Sequence, residues 1–148
     1  MRADWVGREF DVADFEVEES KLLEWAEACG ETDPRFIDPA HPDFQAHPGY
    51  TTQYHGGRVF PPDFPHIGKG LGIDGGKCVN VHEPIRPGDR LTAKSSIADI
   101  YEKTGRSGAM IFIVHRMTFQ NQEGRTVATV DWRLIQSPGR PGRPERGS

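Results

Sequence analysis

Three long segments of alternating apolar residues follow one another late in the chain with only short polar breaks, a pattern that an antiparallel meander satisfies and a helical fold does not. They are Arg90 to Ile100, Ala109 to Gln120 and Arg125 to Ile135. Gly105, Gly108 and Gly124 lie in the breaks, where tight hairpins require positive φ. In the second segment Ile111, Phe112, Ile113 and Val114 are apolar on both sides of the pleat, which predicts a central strand covered on both faces. In the third, Ala128, Val130, Trp132 and Leu134 alternate with Val127, Thr129, Asp131 and Arg133. A sheet with one apolar face needs cover from a helix or a partner subunit, so the preceding chain must supply it or a second chain must.

The preceding chain contains one clear helix signal. Leu22, Leu23, Ala26 and Cys29 recur at helical spacing, Ser20 stands in position to cap, and Gly30 stands where a left-handed stop is wanted, so a helix is expected from Lys21 to Cys29. Ahead of it, Trp5 to Phe10 and Phe15 to Glu18 read as a first strand or strap on the sheet edge. From Glu31 to Pro65, Pro34, Pro39, Pro42, Pro48, Pro61, Pro62 and Pro65 leave little room for regular structure, and loops of that length usually cover a binding site or dock on a partner. A short helix is expected from Asp63 to Ile73, weakened by Gly68, Gly70 and Gly72. The reading is an α+β domain over residues 1–136, followed by a Pro/Gly/Arg-rich stretch, 137–148, that cannot build a core and is either a tail or a linker.

The net charge of -4 argues against a polyanion such as nucleic acid as the partner. No apolar run is long enough to span a membrane and the first residues lack a signal-peptide core, so a cytoplasmic location is expected. Cys29 and Cys78 have neither CxxC spacing nor an oxidising address and are expected to be buried free thiols. The histidines at 41, 47, 55, 66, 82 and 115 show no metal-ligand spacing, and no metal is expected. His115 reads as a packing residue on the central strand, and His66 as the histidine best placed to border a channel.

Four pieces then occur in a telling order: Gly30-Glu31-Thr32-Asp33-Pro34, Gly56-Gly57-Arg58-Val59-Phe60-Pro61-Pro62-Asp63-Phe64-Pro65, Arg86-Pro87-Gly88-Asp89-Arg90-Leu91 and Gly105-Arg106-Ser107-Gly108. Their sequence over roughly residues 5 to 136 resembles the MaoC-like hydratase and dehydratase family, whose members have the hot-dog fold, an antiparallel sheet wrapped around a short central helix. It looks most like the subgroup made up of the amino-terminal halves of double-hot-dog dehydratases and the non-catalytic subunits of heteromeric enoyl-CoA hydratases. A narrower resemblance is to the hydratase-like half of the large subunit of enzymes that hydrate a steroid side-chain enoyl-CoA.

The resemblance implies a coenzyme A thioester as substrate, no further cofactor, and chemistry that adds water across an enoyl thioester or removes it. That reaction needs a base for water, an acid for the α-carbon and N–H groups for the enolate oxygen. Catalytic relatives carry an Asp and a His in a D-x-N-P-x-H loop after the first helix. Here Glu31 occupies the aspartate position and Phe36 the histidine position, and a phenyl ring carries no proton. Glu31 would serve as a base only if burial raised its pKa, and without a paired acid it reads as structural, as does Asp33 before Pro34. Pro61 and Pro62 have no N–H for an oxyanion, leaving Asp63 or Phe64 to donate. No catalytic residue is expected in this chain, with Glu31 and His66 as the fallback candidates. Phe60, Phe64, His66 and Arg106 are the candidate substrate-binding residues, Arg106 for the coenzyme A phosphates with help from Lys103 and Lys69. The expectation is a subunit of a heteromeric hydratase whose second hot-dog subunit brings Asp and His. Its alternatives are a homodimer working through Glu31 and a non-enzymatic acyl-CoA binding or assembly module.

Overall fold

The computed structural model describes residues 2–65, 72–106 and 108–136. In chain order the elements are α1 (Arg2–Trp5), β1 (Glu9–Glu16), α2 (Glu19–Ala28), α3 (Pro34–Ile37), a short 3-10 turn (Tyr50–Gln53), β2 (Gly72–Val81), β3 (Arg90–Gly105), β4 (Gly108–Gln120) and β5 (Thr126–Gln136). The strands form one antiparallel sheet in the order β1-β3-β4-β5-β2, so the meander occupies the middle and the early strand an edge.

β3 runs five residues past Ile100, and Gly105 pairs directly with Gly108 across a very short connection. Gly108 and Gly124 take positive φ (102° and 77°), whereas Gly105 closes the strand. Of the helix expected at 63–73, Gly72 and Ile73 are already in β2, Pro62 and Asp63 lie in a turn that Phe64 N–H closes onto the Pro61 carbonyl, and residues 66–71 lie outside the described residues. Of the glycines that count against a helix, Gly72 opens β2, and a bulge follows it. Register shifts between Asp74 and Lys77, Gly76 sits at φ 91°, and a side chain at Gly75 would come within 3.0 Å of the Arg133 carbonyl.

The expected helix is present one to two residues earlier than the spacing suggested, with Glu18 rather than Ser20 as N-cap and no side-chain cap bond. Gly30 follows it at φ 68°. Ala26 is buried, and Leu22 packs into the core together with Phe44, Ala46 and Tyr50 from the proline-rich excursion, against Leu91, Phe119, Val127 and Val130 of the sheet. A second cluster, Ile97, Ile100 and Ile113 with Trp5, Phe10, Phe60 and Phe64 around it, fills the other end of the same face. Among the described residues nothing covers the opposite face of β4: Phe112 and Val114 are half-buried and Arg116 is exposed, forming a bidentate pair with Asp131 at 2.7 and 2.8 Å. The apolar outward residues stack among themselves instead, Tyr101 on Phe112 at 4.9 Å with Lys103 over both rings. Cys29 and Cys78 are free but exposed, since one ends α2 and the other faces outward from an edge strand.

Candidate functional site

Glu31 follows the α2 stop with its backbone N–H bonded to the Ala26 carbonyl. Its Oε1 accepts from the N–H groups of Thr32 and Asp33, both at 3.0 Å. Those two bonds, the Asp33 one first, hold the carboxyl below the usual range, with a smaller contribution from His47. The raised pKa that a catalytic base would need is therefore not what this loop produces. Asp33 caps α3 by accepting from the Arg35 N–H and pairs with the Arg35 guanidinium at 2.7 Å, so it is a turn-former as its place before proline suggests.

The loop does bring an imidazole to Glu31, and it comes from outside the motif. His47 Nε2 lies 3.3 Å from Glu31 Oε2, and the Phe36 ring, 8% exposed, meets the imidazole edge-on at 5.5 Å. His47 arrives there because Gln45 N–H bonds the Arg35 carbonyl and Ala46 N–H bonds the Ile85 carbonyl, which folds the excursion back over α3. Its Nδ1 accepts the Gly49 N–H at 3.0 Å. With one ring nitrogen accepting from the backbone, the other must carry the proton it shares with Glu31. Both ring nitrogens and both carboxylate oxygens are engaged within the loop. Sequence spacing alone carried no signal for this pair, because its members lie sixteen positions apart with α3 and irregular chain between them.

The other anticipated residues are spread out. Phe60 and Phe64 stack at 5.1 Å, and Trp5 packs edge-on to Phe64 at 5.2 Å in the second apolar cluster. The Phe64 N–H closes a turn onto the Pro61 carbonyl at 3.1 Å, which removes it as an oxyanion donor, and Asp63 adopts a left-handed φ of 64°. Phe60 also borders an open groove of about 300 Å³ with Ile73, Trp132, Leu134 and Ile135. Arg106 is exposed at the β3–β4 tip, and Lys103 is committed to the Tyr101 and Phe112 rings. His66 and Lys69 lie outside the described residues.

A second polar group, not anticipated as a site, lies on the inner face of the sheet. His115 is 3% exposed, and burial first, then Lys77, pull its pKa down to about 4. Trp132 stands beside it with ring centroids 6.2 Å apart and donates its Nε1 proton to Asp74 at 2.8 Å. Lys77 lies over the Trp132 ring and donates to the Thr52 carbonyl. His115 and Trp132 share strand parity with Met117 and Val130, which makes their inward direction readable; their clustering was not.

The family described as the FAS1-like dehydratase domain region matches residues 4–130. A UPF0336 protein of Streptomyces coelicolor is 32% identical over 118 residues, covering 68% of this chain and 73% of its own. Among solved structures, a MaoC-like dehydratase from Rhodospirillum rubrum aligns at TM-score 0.61 and 22% identity, covering 92% of this chain and 94% of that one. The ChsH1-ChsH2 complex of Mycobacterium tuberculosis aligns at 0.65 and 21%, covering 93% and 86%. HadBC, a 3R-hydroxyacyl-ACP dehydratase complex from the same organism, aligns at 0.62 and 20%, covering 86% and 96%. The five-stranded antiparallel sheet with its packed helix is thus the hot-dog fold of MaoC-like dehydratases, and the chain belongs to the FAS1-like dehydratase region family.

Proposed function

We propose that this chain is the non-catalytic half of a heteromeric hydro-lyase that adds water to an enoyl thioester or removes it. It supplies the subunit interface and part of the acyl tunnel, while a second hot-dog subunit brings the Asp and His that move protons. The observation that carries this reading is the state of the motif loop. Phe36 fills the histidine slot, and the imidazole that stands in its place is tied on both nitrogens to Glu31 and to the Gly49 N–H. A carboxylate kept acidic by backbone N–H groups is a poor base, and a ring with no nitrogen to offer substrate is a poor acid. The likeness to the ChsH1-ChsH2 and HadBC complexes supports a two-chain assembly. Coenzyme A thioesters are the proposed substrates, and a bulky, steroid-derived acyl group is the narrowest form of the proposal, supported by the aromatic lining around Phe60 and Trp132.

The test is hydration of crotonyl-CoA and of a steroid side-chain enoyl-CoA by the chain alone and after co-expression with a hot-dog partner. Turnover is expected only in the pair; robust turnover by the lone chain contradicts the assignment. One observation favours the homodimeric alternative: a carboxylate and an imidazole of the same polypeptide do stand 3.3 Å apart. Glu31→Gln separates the two readings. In the co-expressed pair it should leave kcat within about 3-fold, whereas a working Glu31 would lose on the order of 100-fold or more.

A further inference from the structure

The inner face of the sheet is apolar along its length except at one belt. Along β3 the inward positions are Leu91, Ala93, Ser95, Ile97 and Ile100, and along β4 they are Ile113, His115, Met117 and Phe119; all are buried and only Ser95 and His115 are polar. The register pairs Ser95 with Met117 and Ile97 with His115, which makes the two polar residues diagonal neighbours on that face. They separate the two apolar clusters. Ser95 is 0% exposed, and neither Ser95 Oγ nor His115 Nε2 has a hydrogen-bond partner among the described residues. Two buried polar atoms left unbonded oppose folding, so a role in folding alone does not explain them.

Both residues lie beneath the segment 54–59. His115 lines an enclosed space of about 20 Å³ together with Tyr54, His55, Gly56, Lys77 and Trp132. Ser95 Oγ lies 3.5 Å from the point a Cβ at Gly56 would occupy, and that same Cβ would collide with Asp11 Oδ2. Asp11 fastens the cover: its Oδ2 accepts from Gly57 N–H at 2.8 Å and from Arg58 N–H at 3.3 Å. Tyr54 packs on Phe15 and Phe119 and stays anchored, whereas Gly57, Arg58 and Val59 are exposed, so that end of the cover rests on one carboxylate more than on packing. Trp132 is a shared wall, with the covered polar floor on one side and the groove of Phe60, Ile73, Leu134 and Ile135 on the other.

We propose that Ser95 and His115 form a subsite for one hydroxyl or carbonyl oxygen carried on an apolar ligand, reached when residues 56–59 lift from Asp11. A hydroxyl side chain both donates and accepts, and a neutral imidazole offers one of each, so either oxygen function is served. The apolar body lies along the Trp132 wall and the groove. The inference deepens the acyl-thioester reading and rests on it, naming an acyl group oxygenated at a position remote from the thioester.

The experiment is calorimetric titration of the full chain, and of its co-expressed complex, with cyclohexylacetyl-CoA and 4-hydroxycyclohexylacetyl-CoA. The hydroxylated thioester should bind roughly 10-fold more tightly, one good hydrogen bond's effect. Ser95→Ala and His115→Gln, each checked for native circular dichroism, should bring the two thioesters to within about 2-fold of each other. If both bind the native protein equally, the polar pair serves a buried water and the subsite is refuted while acyl binding stands. If neither binds chain or complex, the acyl-thioester reading itself falls and takes the subsite with it. Ser95→Ala removes one oxygen at little steric cost, so the comparison survives even should His115→Gln fail to fold.

Discussion

His115 refuses a proton in the folded protein because its ring is buried in the middle of the sheet near Lys77, which places its pKa at about 4. An unfolded histidine titrates near 6.5. Between those values the unfolded chain binds a proton that the folded chain does not, so stability is fully present above about pH 6.5 and declines as pH falls toward 4. The whole effect is on the order of 3 kcal/mol at most. Urea melts across that window should show a midpoint that falls with pH, and His115→Phe should flatten the dependence; an unchanged slope in the variant would assign it to another group. Glu31 acts in a different range. Its carboxyl is held low, so what it contributes is present above the ordinary carboxylate range and is lost only as pH drops through and below it. Glu31 and Phe36 are five residues apart and readable together in the sequence, but their neighbour His47 was not, because only the folded excursion carries it back across α3.

Among the elements, the Arg86-Pro87-Gly88-Asp89 turn ties the most strands together. Gly88, at φ 87°, donates to the Val17 carbonyl, and Val17 N–H returns to the Asp89 carbonyl. Asp89 Oδ2 accepts from Arg86 N–H while its Oδ1 takes the Gln122 side-chain amide, and Gln122 Oε1 accepts from Arg90 N–H. One residue thereby links three places, its backbone carbonyl reaching the end of β1 and its carboxylate the turn before β3 and the β4–β5 hairpin. Asp89→Ala should cost about 1–2 kcal/mol in chemical denaturation, and Asp89→Asn less, since an amide oxygen still accepts. Leu22→Ala should cost more, about 2–5 kcal/mol, because Leu22 is 1% exposed and anchors α2 to the sheet. A loss below about 1 kcal/mol would show that α2 contributes little to the core. The turn and the helix were both legible because each depends on local chemistry, a proline, a glycine and a 3.6-residue repeat. β2 was not, because Gly72, Gly75 and Gly76 erase the apolar alternation, and only the bulge against β5 explains them.

At the scale of the whole molecule, the sheet ends in two strands, β1 and β2, each paired on one side only among the described residues, with Val12 58% and Val81 43% exposed along them. Open edges of this kind invite a neighbouring sheet. In the proposed assembly, hydrogen exchange should report new protection along one of the two edge strands when the partner is present. Protection confined to the outward stack of Tyr101 and Phe112 would put the interface on the sheet face instead. Among the described residues no helix is long and apolar enough to cross a membrane.

What the chain's own order of residues settled was the meander, a strand on the sheet edge and the helix, because periodicity and turn chemistry are local properties. What only the tertiary structure decided was which distant groups meet. His47 closes on Glu31, and Ser95 and His115 share a covered belt under Gly56, through contacts set by register, loop return and burial rather than by any spacing along the chain.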